Sequence, residues 1–303
     1  MKNYTSREIK EFVSKPLFDE KVILNKDPNY PKISIVTPSY NQAQFLERTI
    51  LSVLNQNYPN LEYIIIDGGS TDGSVEIIKK YKKYLACWVS EVDEGQADAI
   101  NKGFKIVTGE FIGWQNSDDI YLPRAFYKVA KKFSENPDTD LVFGNRYSID
   151  ENENIIRDMR YVSFNHKSLL YEGSALNNQS AFWKKELMDK VGLFDESYKF
   201  CMDYDFWVRA GKIGKFLLIR DYLGAFRGHK DTKTNTIISI CHTEHLRILK
   251  REGIKPNKFR HLYSLARRFL LYIFQGDLFY VTRGVYERIY KRGILGESWF
   301  YKK

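Results

Sequence analysis

The segment WQNSDD places two adjacent carboxylates, Asp118 and Asp119, shortly after an apolar run at residues 111–114. Neighbouring carboxylates repel each other unless a cation or buried hydrogen bonds compensate, and hard oxygen ligands of this kind suit Mg²⁺ or Mn²⁺. The alternative is that Asp and Asn side chains here cap a helix that starts near Leu122. The sequence therefore predicts either a divalent-metal site or a helix cap at this position.

A second acidic segment, FCMDYDFWVRA, has Asp203 and Asp205 at the predicted start of a helix. Asp205 stands four residues before Arg209, which is the spacing of an ordinary intrahelical ion pair. Asp203 is either an N-cap or a carboxylate that faces a ligand. The segment alone does not decide between these two alternatives.

The segment DGGSTDGS follows an apolar run at residues 63–66. Its glycines allow the backbone to approach a ligand closely, and Asp72 is expected to cap the next helix. Asp67, at the last position of the predicted strand, is not needed as a cap and is the better candidate to face a ligand. Neither a GxGxxG nor a Walker pattern is present, so neither a dinucleotide site nor a P-loop is indicated.

The elements that must position these residues alternate between strands and helices. Apolar runs at residues 33–36, 63–66 and 111–114 are separated by helical patterns, which predicts βαβ units and a mainly parallel sheet. Ligands of such sheets bind at the carboxyl edge, where the loops TPSYN, DGGSTD and QNSDD all fall. Residues 1–30 are expected to be a polar lead-in arm, and the shorter strands after residue 140 indicate an α+β half.

Composition places the chain among globular proteins, with 303 residues and 43% hydrophobic residues, enough for one large α/β domain with an appended piece. The three cysteines show no paired spacing and indicate neither a disulfide framework nor a zinc site. The sequence shows neither a signal peptide nor an apolar run long enough to span a bilayer, so we expect a cytoplasmic location. The net charge of +9 does not by itself identify a partner.

The C-terminal region, residues 236–303, combines basic residues with apolar residues at helical spacing. The pattern predicts an amphipathic helix from about residue 255, which either packs on its own domain or lies on an anionic membrane surface. The second alternative predicts a peripheral location on the inner face of the cell membrane.

Four motifs in one order, VTPSYNQAQFLERTILSVLNQNYPNLEYIIIDGGSTDGS, SEVDEGQADAINKGF, TGEFIGWQNSDDIYLP and MDYDFWVR, resemble those of the family 2 inverting glycosyltransferases of bacterial polysaccharide and O-antigen synthesis. The resemblance covers about residues 31–235. It implies a GT-A fold, with a nucleotide-binding half at residues 31–120 and an acceptor half at residues 121–235. It also implies a nucleotide-diphosphate sugar donor, most simply a UDP-sugar, and a divalent metal, Mn²⁺ or Mg²⁺.

The resemblance assigns roles by position. Asp203 stands at the place of the catalytic base, and Asn116 with Asp118 stands at the DxD metal motif, while His229 matches a histidine that helps hold the metal in some members. The donor-binding residues are Thr37, Pro38, Ser39, Tyr40, Asp67, Glu91, Asn116 and Asp118, and Asp93 is a further neighbour of the base or ribose.

Two departures from the family pattern affect these expectations. The frequent acidic pair after the second strand is here Asp67 and Gly68, which removes one expected contact to the nucleobase. The first DxD position is Asn116, which keeps an oxygen donor but removes a charge, so weaker metal affinity is expected.

The resemblance predicts an enzyme that transfers a hexosyl or N-acetylhexosaminyl group to a glycan acceptor, commonly a lipid-linked one, with no nucleic-acid partner. Acceptor specificity is expected around residues 171–183. Two alternatives remain from the sequence. One is a nucleotidyltransferase of similar fold, although TPSYNQ lacks a Gly-rich, basic phosphate loop. The other is a non-catalytic partner subunit that binds a nucleotide sugar, which Asn116 keeps open.

Overall fold

The computed structural model describes residues 1–173, 176–255, 257–278 and 280–283, which form a mixed sheet covered by helices on both faces. The strands of the described residues are β1 (Ile33–Ser39), β2 (Leu61–Asp67), β3 (Cys87–Ser90), β4 (Phe111–Trp114), β5 (Ile120–Tyr121), β6 (Leu141–Ile149), β7 (Ile155–Met159), β8 (Ala181–Lys184) and β9 (Phe216–Arg227). The helices are α1 (Ser6–Ser14), α2 (Glu20–Asn25), α3 (Ala43–Leu54), α4 (Ser74–Tyr81), α5 (Gln96–Phe104), α6 (Ala125–Glu135), α7 (His166–Glu172), α8 (Lys185–Val191), α9 (Met202–Gly211), α10 (Lys233–Thr236), α11 (Ile238–Arg251) and α12 (Lys258–Phe274).

The strand order is β3-β2-β1-β4-β8-β6-β9-β5, and β7 pairs with β6. β3, β2, β1 and β4 are parallel neighbours, joined by the helical crossovers α3, α4 and α5. β8 runs antiparallel between β4 and β6, and β6 and β9 pair in parallel. The predicted α/β architecture with a mainly parallel first half is therefore confirmed.

Successive side chains of a strand point to opposite faces of the sheet, and β1, β2 and β4 are buried on both faces, whereas β3 at the edge is partly exposed. Ile35 and Tyr63 pack with α3, α4 and α6, whereas Val36 and Ile64 pack with α5 and α9. A Cβ at Gly103 of α5 would lie 2.4 Å from Cγ1 of Val36, so a glycine is needed for α5 to approach β1 this closely. This packing fixes the strand ends from which the functional loops depart.

Residues 1–30 form helices where the sequence pattern predicts an arm outside the core. α1 begins with a capping box, in which the Glu8 amide donates to the Thr5 hydroxyl and the Thr5 amide donates to the Glu8 carboxylate. The buried residues of α1 are Ile9, Phe12 and Val13. They join a core cluster with Tyr147 of β6. Their i, i+3, i+4 spacing is the signal of an amphipathic helix that the arm prediction missed.

α12 lies against α7 at the edge of the acceptor half. His261 of α12 is buried and its Nδ1 lies 2.9 Å from the carbonyl oxygen of Tyr171. The opposite face of α12 is exposed and includes Phe259, Tyr263 and Phe274. In the part of the chain that the structure describes, no helix is both long and apolar enough to cross a membrane. The basic segment after residue 283 lies outside the described residues.

Candidate active site

A cavity of about 1370 Å³ lies at the carboxyl edge of the parallel strands. It is bordered by the loops after β1, β2 and β4, by the start of α9 and by α12. Ser39, Gly68, Asp118 and Asp203 all border this one space. The structure therefore brings the two acidic segments of the sequence, 85 residues apart, to the same cavity, at the edge where open α/β sheets bind ligands.

The loops after β1 and β2 are tied into one hydrogen-bonded unit. The Asn41 amide donates to the Ser70 hydroxyl at 2.8 Å. The Asp72 carboxylate accepts from the amide of Ala43 at 2.8 Å and from the amide of Ser74 at 3.0 Å. The N-cap of α4 is Gly73, so the predicted cap at Asp72 is wrong, but the Asp72 carboxylate holds the first turns of both α3 and α4.

Asp67 is completely buried and its carboxylate is engaged by its own surroundings. It accepts from the Ser70 amide at 2.9 Å and from the hydroxyls of Ser70 and Ser90 at 2.6 and 2.8 Å. Thr37 is also buried, with its hydroxyl 3.1 Å from that of Tyr63. The predicted donor-binding residues of the first loop that border the cavity are Pro38, Ser39 and Tyr40. Asp67 and Thr37 are buried and hold these loops through hydrogen bonds.

The carboxylate of Asp93 fills the space beside Gly68. A Cβ at residue 68 would lie 2.5 Å from Oδ2 of Asp93 and 3.3 Å from the ring of Tyr40. Residue 68 is a glycine where the family often has an acidic residue, and the Asp93 carboxylate, which borders the cavity, lies in the space that a side chain at residue 68 would occupy. Glu91 instead forms an exposed ion pair with Lys102 at 3.1 Å.

Asn116, in the loop after β4, is held in a local hydrogen-bond network. Its amide oxygen accepts from the indole N–H of Trp114 at 2.8 Å and from the side-chain amide of Gln96 at 2.7 Å. Its amide nitrogen donates to Asp119 at 3.2 Å. Asn116 borders the cavity, but in this arrangement both lone pairs of its oxygen are occupied, and its role as a donor contact stays a prediction.

Asp118 and Asp119 are neighbours in sequence with different surroundings. Asp118 borders the cavity, whereas Asp119 is completely buried. Asp119 accepts from the side-chain amide of Gln179 at 2.7 Å and from the main-chain amide of Arg227 at 2.9 Å. Burial, and then the nearby charge of Asp118, raise the pKa of Asp119 to about 7. Asp119 therefore holds the loop, and Asp118 is the carboxylate available to a ligand.

His229 lies beside Asp118, with Nε2 2.9 Å from Oδ2 of the carboxylate. This hydrogen bond raises the pKa of His229, and burial of the ring opposes the shift. Nδ1 of His229 is buried without a hydrogen-bond partner among the described residues. The ring also packs 4.8 Å from that of Phe45. The structure thus pairs the two residues predicted to hold a metal.

Within the described residues there is no cluster of three or more His, Cys, Asp or Glu side chains that could hold a metal. Mg²⁺ and similar ions are, however, often bound by one or two protein ligands while substrate phosphates and water complete the shell. The Asp118 carboxylate borders the large cavity and fits that kind of site, whereas the His229 ring that contacts it is buried and does not border the cavity.

Arg227 connects this site to the β6–β7 hairpin, and its role was not predicted from the sequence. It is completely buried, donates from Nε to the carbonyl oxygen of Asp118 at 2.7 Å, and forms an ion pair with Glu153 at 2.5 Å. Its guanidinium lies 4.8 Å from the ring centre of Phe45. Its position two residues before His229, at the end of the longest strand, is the signal that could have drawn attention to it.

Asp203 lies in the first turn of α9, and its carboxylate borders the cavity. The N-cap is Cys201, so the helix-cap alternative for Asp203 is wrong. The carboxylate accepts from the Tyr204 amide at 2.7 Å and has no ion-pair partner among the described residues. Burial raises the pKa of Asp203 to about 6, against the hydrogen bond from the Tyr204 amide and the charge of Lys233.

Asp205 points away from the cavity into the protein. It is completely buried and binds Nε of Arg209 at 2.8 Å and the guanidinium of Arg251. The predicted intrahelical ion pair is confirmed. Of the two aspartates of α9, Asp203 is therefore the one positioned to act on a ligand.

A cavity at the carboxyl edge of a parallel sheet, bordered by the Asp118 carboxylate and by the Asp203 carboxylate of raised pKa, is suited to group transfer from a phosphorylated donor. Residues 34–192, just over half of the chain, match Glycosyl transferase family 2, and the chain belongs to this family.

Relatives of similar length carry the same description. The chain is 27% identical over 216 residues to an uncharacterized glycosyltransferase of Rickettsia typhi, which covers 69% of this chain and 68% of that protein. It is 30% identical over 206 residues to an uncharacterized glycosyltransferase of Methanocaldococcus jannaschii, covering 65% and 71% of the two chains. The protein is thus a glycosyltransferase, as the motifs predict.

Solved structures show the same fold. Staphylococcus aureus TarS 1–349 in complex with UDP superposes with a TM-score of 0.56 at 20% identity, over 66% of this chain and 61% of that chain, so the match spans less than two thirds of TarS. The mannosyltransferase PcManGT from Pyrobaculum calidifontis, in complex with GDP-Man and Mn²⁺, superposes with a TM-score of 0.57 at 19% identity, over 94% and 87% of the chains. The predicted GT-A fold is confirmed.

Proposed function

We propose that this glycosyltransferase moves a sugar from a nucleotide-diphosphate sugar to a hydroxyl of a glycan acceptor with inversion, and that Asp203 is the general base. The observation that carries the proposal is the carboxylate of Asp203. It borders the same cavity as Asp118, has no ion-pair partner among the described residues, and has its pKa raised to about 6 by burial. A carboxylate in this state can both hold and release a proton near neutral pH.

Asp203 takes the proton of the acceptor hydroxyl while the hydroxyl oxygen attacks the anomeric carbon. The bond from that carbon to the diphosphate breaks on the opposite face, so one displacement inverts the configuration. A positioned general base typically contributes about 10²- to 10⁴-fold to the rate. The carboxylate must be ionised to act, which is the case above about pH 6.

Asp118 and His229 are the residues that would hold a divalent cation, Mn²⁺ or Mg²⁺. Such a cation supplies positive charge that offsets the charge growing on the departing diphosphate. The hydrogen bond of 2.9 Å fixes the His229 ring against the carboxylate. The presence of Mn²⁺ with PcManGT supports this assignment.

The donor site is formed by Pro38, Ser39 and Tyr40 with Asp93 beside Gly68. The Asp93 carboxylate can accept a hydrogen bond from an imide N–H of a nucleobase, which replaces the contact missing at residue 68. TarS structures contain UDP and UDP-GlcNAc, which supports a UDP-sugar that carries a hexosyl or N-acetylhexosaminyl group. Thr37, Asp67 and Asn116 contribute by holding these loops, and Glu91 lies at the exposed margin.

We place the acceptor on the side of the cavity bordered by Asn177, Asn178 and Gln179, within the predicted specificity region. A lipid-linked glycan of cell-surface polysaccharide or O-antigen synthesis fits a peripheral enzyme on the cytoplasmic face of the membrane. The exposed apolar face of α12, with Phe259 84% and Phe274 83% exposed, supports contact with an anionic membrane surface. Sedimentation with anionic and neutral vesicles tests the membrane contact, which salt should weaken.

The test of the proposed function is a panel of UDP-, GDP- and dTDP-sugars with Mn²⁺, read as thermal stabilisation and as hydrolysis of the donor. A bound donor raises the melting temperature of the full-length protein, and turnover should stop in chelator and in Asp118→Ala. Stabilisation without any hydrolysis or transfer would support the partner-subunit alternative. Neither stabilisation nor turnover with any donor of the panel would refute the proposal.

A further inference from the structure

The cavity extends beyond the proposed donor site, between the β6–β7 hairpin and α12. This extension is bordered by Arg146, Arg157, Met159, Phe226, Arg268 and Tyr272. Three of these residues are arginines, and they come from three different elements: β6, β7 and α12. None of them is used by the transfer chemistry described above.

Arg146 of β6 is half-buried and is held by neutral groups. It donates from Nε to the hydroxyl of Tyr161 at 3.1 Å and from Nη1 to the hydroxyl of Ser148 at 3.1 Å. Its guanidinium lies 5.3 Å from the ring centre of Phe226. Among the described residues it has no carboxylate partner, so the hydrogen bonds position the charge without neutralising it.

Arg268 of α12 also borders the cavity and is hydrogen-bonded to a neutral group. It donates to the hydroxyl of Tyr272 at 3.3 Å and lies 5.8 Å from the centre of that ring. Glu172 borders the same space, but its ion pair, at 3.3 Å, is with Arg267. Arg268 therefore forms no direct ion pair in the part of the chain that the structure describes, although the Glu172 carboxylate lies close enough to interact with its charge.

Hydrogen bonds hold each of the two arginines in place at the border of the cavity. The hydroxyl of Tyr161, which accepts from Arg146, also accepts from Asn177 at the cavity border. The hydroxyl of Tyr272, which accepts from Arg268, donates to the carbonyl oxygen of Arg160 at 2.7 Å. Both guanidinium groups are thus held in place before any ligand arrives.

Half-buried guanidinium groups usually meet carboxylate or phosphate oxygens, because taking a charge out of water is costly unless it is paired. The planar, five-donor guanidinium is especially suited to phosphate, and guanidinium groups from separate elements can contact different oxygens of one tetrahedral group. A neutral glycan would leave Arg146 without a charged partner among the described residues and Arg268 with Glu172 nearby but no direct ion pair.

We propose that this extension binds a phosphate group of the acceptor, so that the enzyme glycosylates a hydroxyl near a phosphate or phosphodiester. The inference rests on the proposed function and specifies its acceptor. The phosphate belongs either to the glycan itself or to the diphosphate of a lipid-linked glycan.

The experiment uses the full-length protein saturated with UDP and Mn²⁺, so that the donor site is filled. sn-Glycerol 3-phosphate is titrated against glycerol, and thermal stabilisation is measured. We expect stabilisation by the phosphate ester and none by glycerol. A farnesyl diphosphate titration identifies the source of the phosphate. If farnesyl diphosphate binds about tenfold more tightly than glycerol 3-phosphate, the phosphate belongs to a lipid diphosphate. If it binds equally or more weakly, the phosphate belongs to the glycan.

Arg146→Gln and Arg268→Gln should each weaken glycerol 3-phosphate binding by about tenfold or more, because each leaves a phosphate oxygen unpaired. Arg7→Gln, which removes an exposed charge of α1, is the matched control and should have no effect. The inference is overturned if wild type ignores glycerol 3-phosphate, if Arg7→Gln weakens binding equally, or if the cavity variants lose UDP binding instead. Absence of UDP binding and donor hydrolysis in wild type would instead contradict the proposed function.

Discussion

The two sides of the cavity differ in how their polar groups are satisfied. On the donor side, the loops after β1, β2 and β4 are closed by their own hydrogen bonds, and Asp67 and Asp119 are buried with several donors each. On the acceptor side, Asp203, Arg146 and Arg268 face the cavity without an ion pair among the described residues. The donor side is therefore preformed, whereas the acceptor side obtains its partners from a ligand.

The largest expected effect is at Asp203, whose replacement should lower catalytic activity without a loss of structure. Asp203→Asn should lower kcat by about 10³-fold, because an amide cannot take the acceptor proton. UDP binding, measured by thermal stabilisation with Mn²⁺, should be unchanged. A folded Asp203→Asn protein that no longer binds UDP would contradict the assignment.

On the donor side, Arg227→Met should have the opposite result, a loss of stability. It removes the buried partner of Glu153, which keeps its ion pair with Arg48 at 2.9 Å, and leaves the carbonyl oxygen of Asp118 without this donor, which typically costs about 1 to 3 kcal/mol. The free energy of unfolding from urea titration checks this. Arg7→Gln, at an exposed ion pair, is the control and should change it by about 0 to 1 kcal/mol. A loss as small as that control would show that Arg227 does not hold the loop.

Gly68→Asp tests whether the donor side is as tightly fitted as the contacts indicate. The new carboxylate would meet that of Asp93, because even a Cβ lies 2.5 Å from Oδ2. We expect UDP binding to weaken by about tenfold, or about 1.4 kcal/mol, because the displaced Asp93 carboxylate loses its proposed contact to the nucleobase. The double variant Gly68→Asp with Asp93→Gly should recover much of the affinity, since it moves the acid to the other position. No recovery would argue against a shared role for the two positions.

A further expected effect is the pH dependence of stability. Since the pKa of Asp203 is raised from 3.8 to about 6 in the folded protein, the folded state binds more protons between these values and stability falls as pH rises through them. Asp203→Asn removes this loss, so it should be more stable than wild type at pH 8 by up to about 3 kcal/mol, and similar at pH 4. Unfolding titrations at both pH values measure the difference. The activity of the wild type should decrease as the pH is lowered below about 6.

Much of the fold could be predicted from the sequence because the parallel strands are buried on both faces and read as apolar runs. The distinction between Asp203 and Asp205 was also accessible, since the i, i+4 spacing to Arg209 is local. The contacts that hold the donor side could not be predicted from the sequence. Asp119 accepts hydrogen bonds from Gln179 and Arg227, which are 60 and 108 residues away in the sequence, and no spacing rule connects residues at such separations.

The Asp118–His229 contact also has a consequence for the growing chain. The two residues are 111 positions apart, and His229 follows the last strand of the sheet. At roughly 5 to 20 residues per second, a ribosome adds His229 about 5 to 22 s after Asp118. During that interval Asp119 lacks the main-chain amide of Arg227, and Asp118 lacks the Arg227 guanidinium and the His229 imidazole. These groups belong to β9 and the loop that follows it. A chain that stops at residue 192, where the family match ends, would hold the donor loops but neither Asp203 nor His229. The site is therefore completed late in synthesis, when β9 pairs with β6.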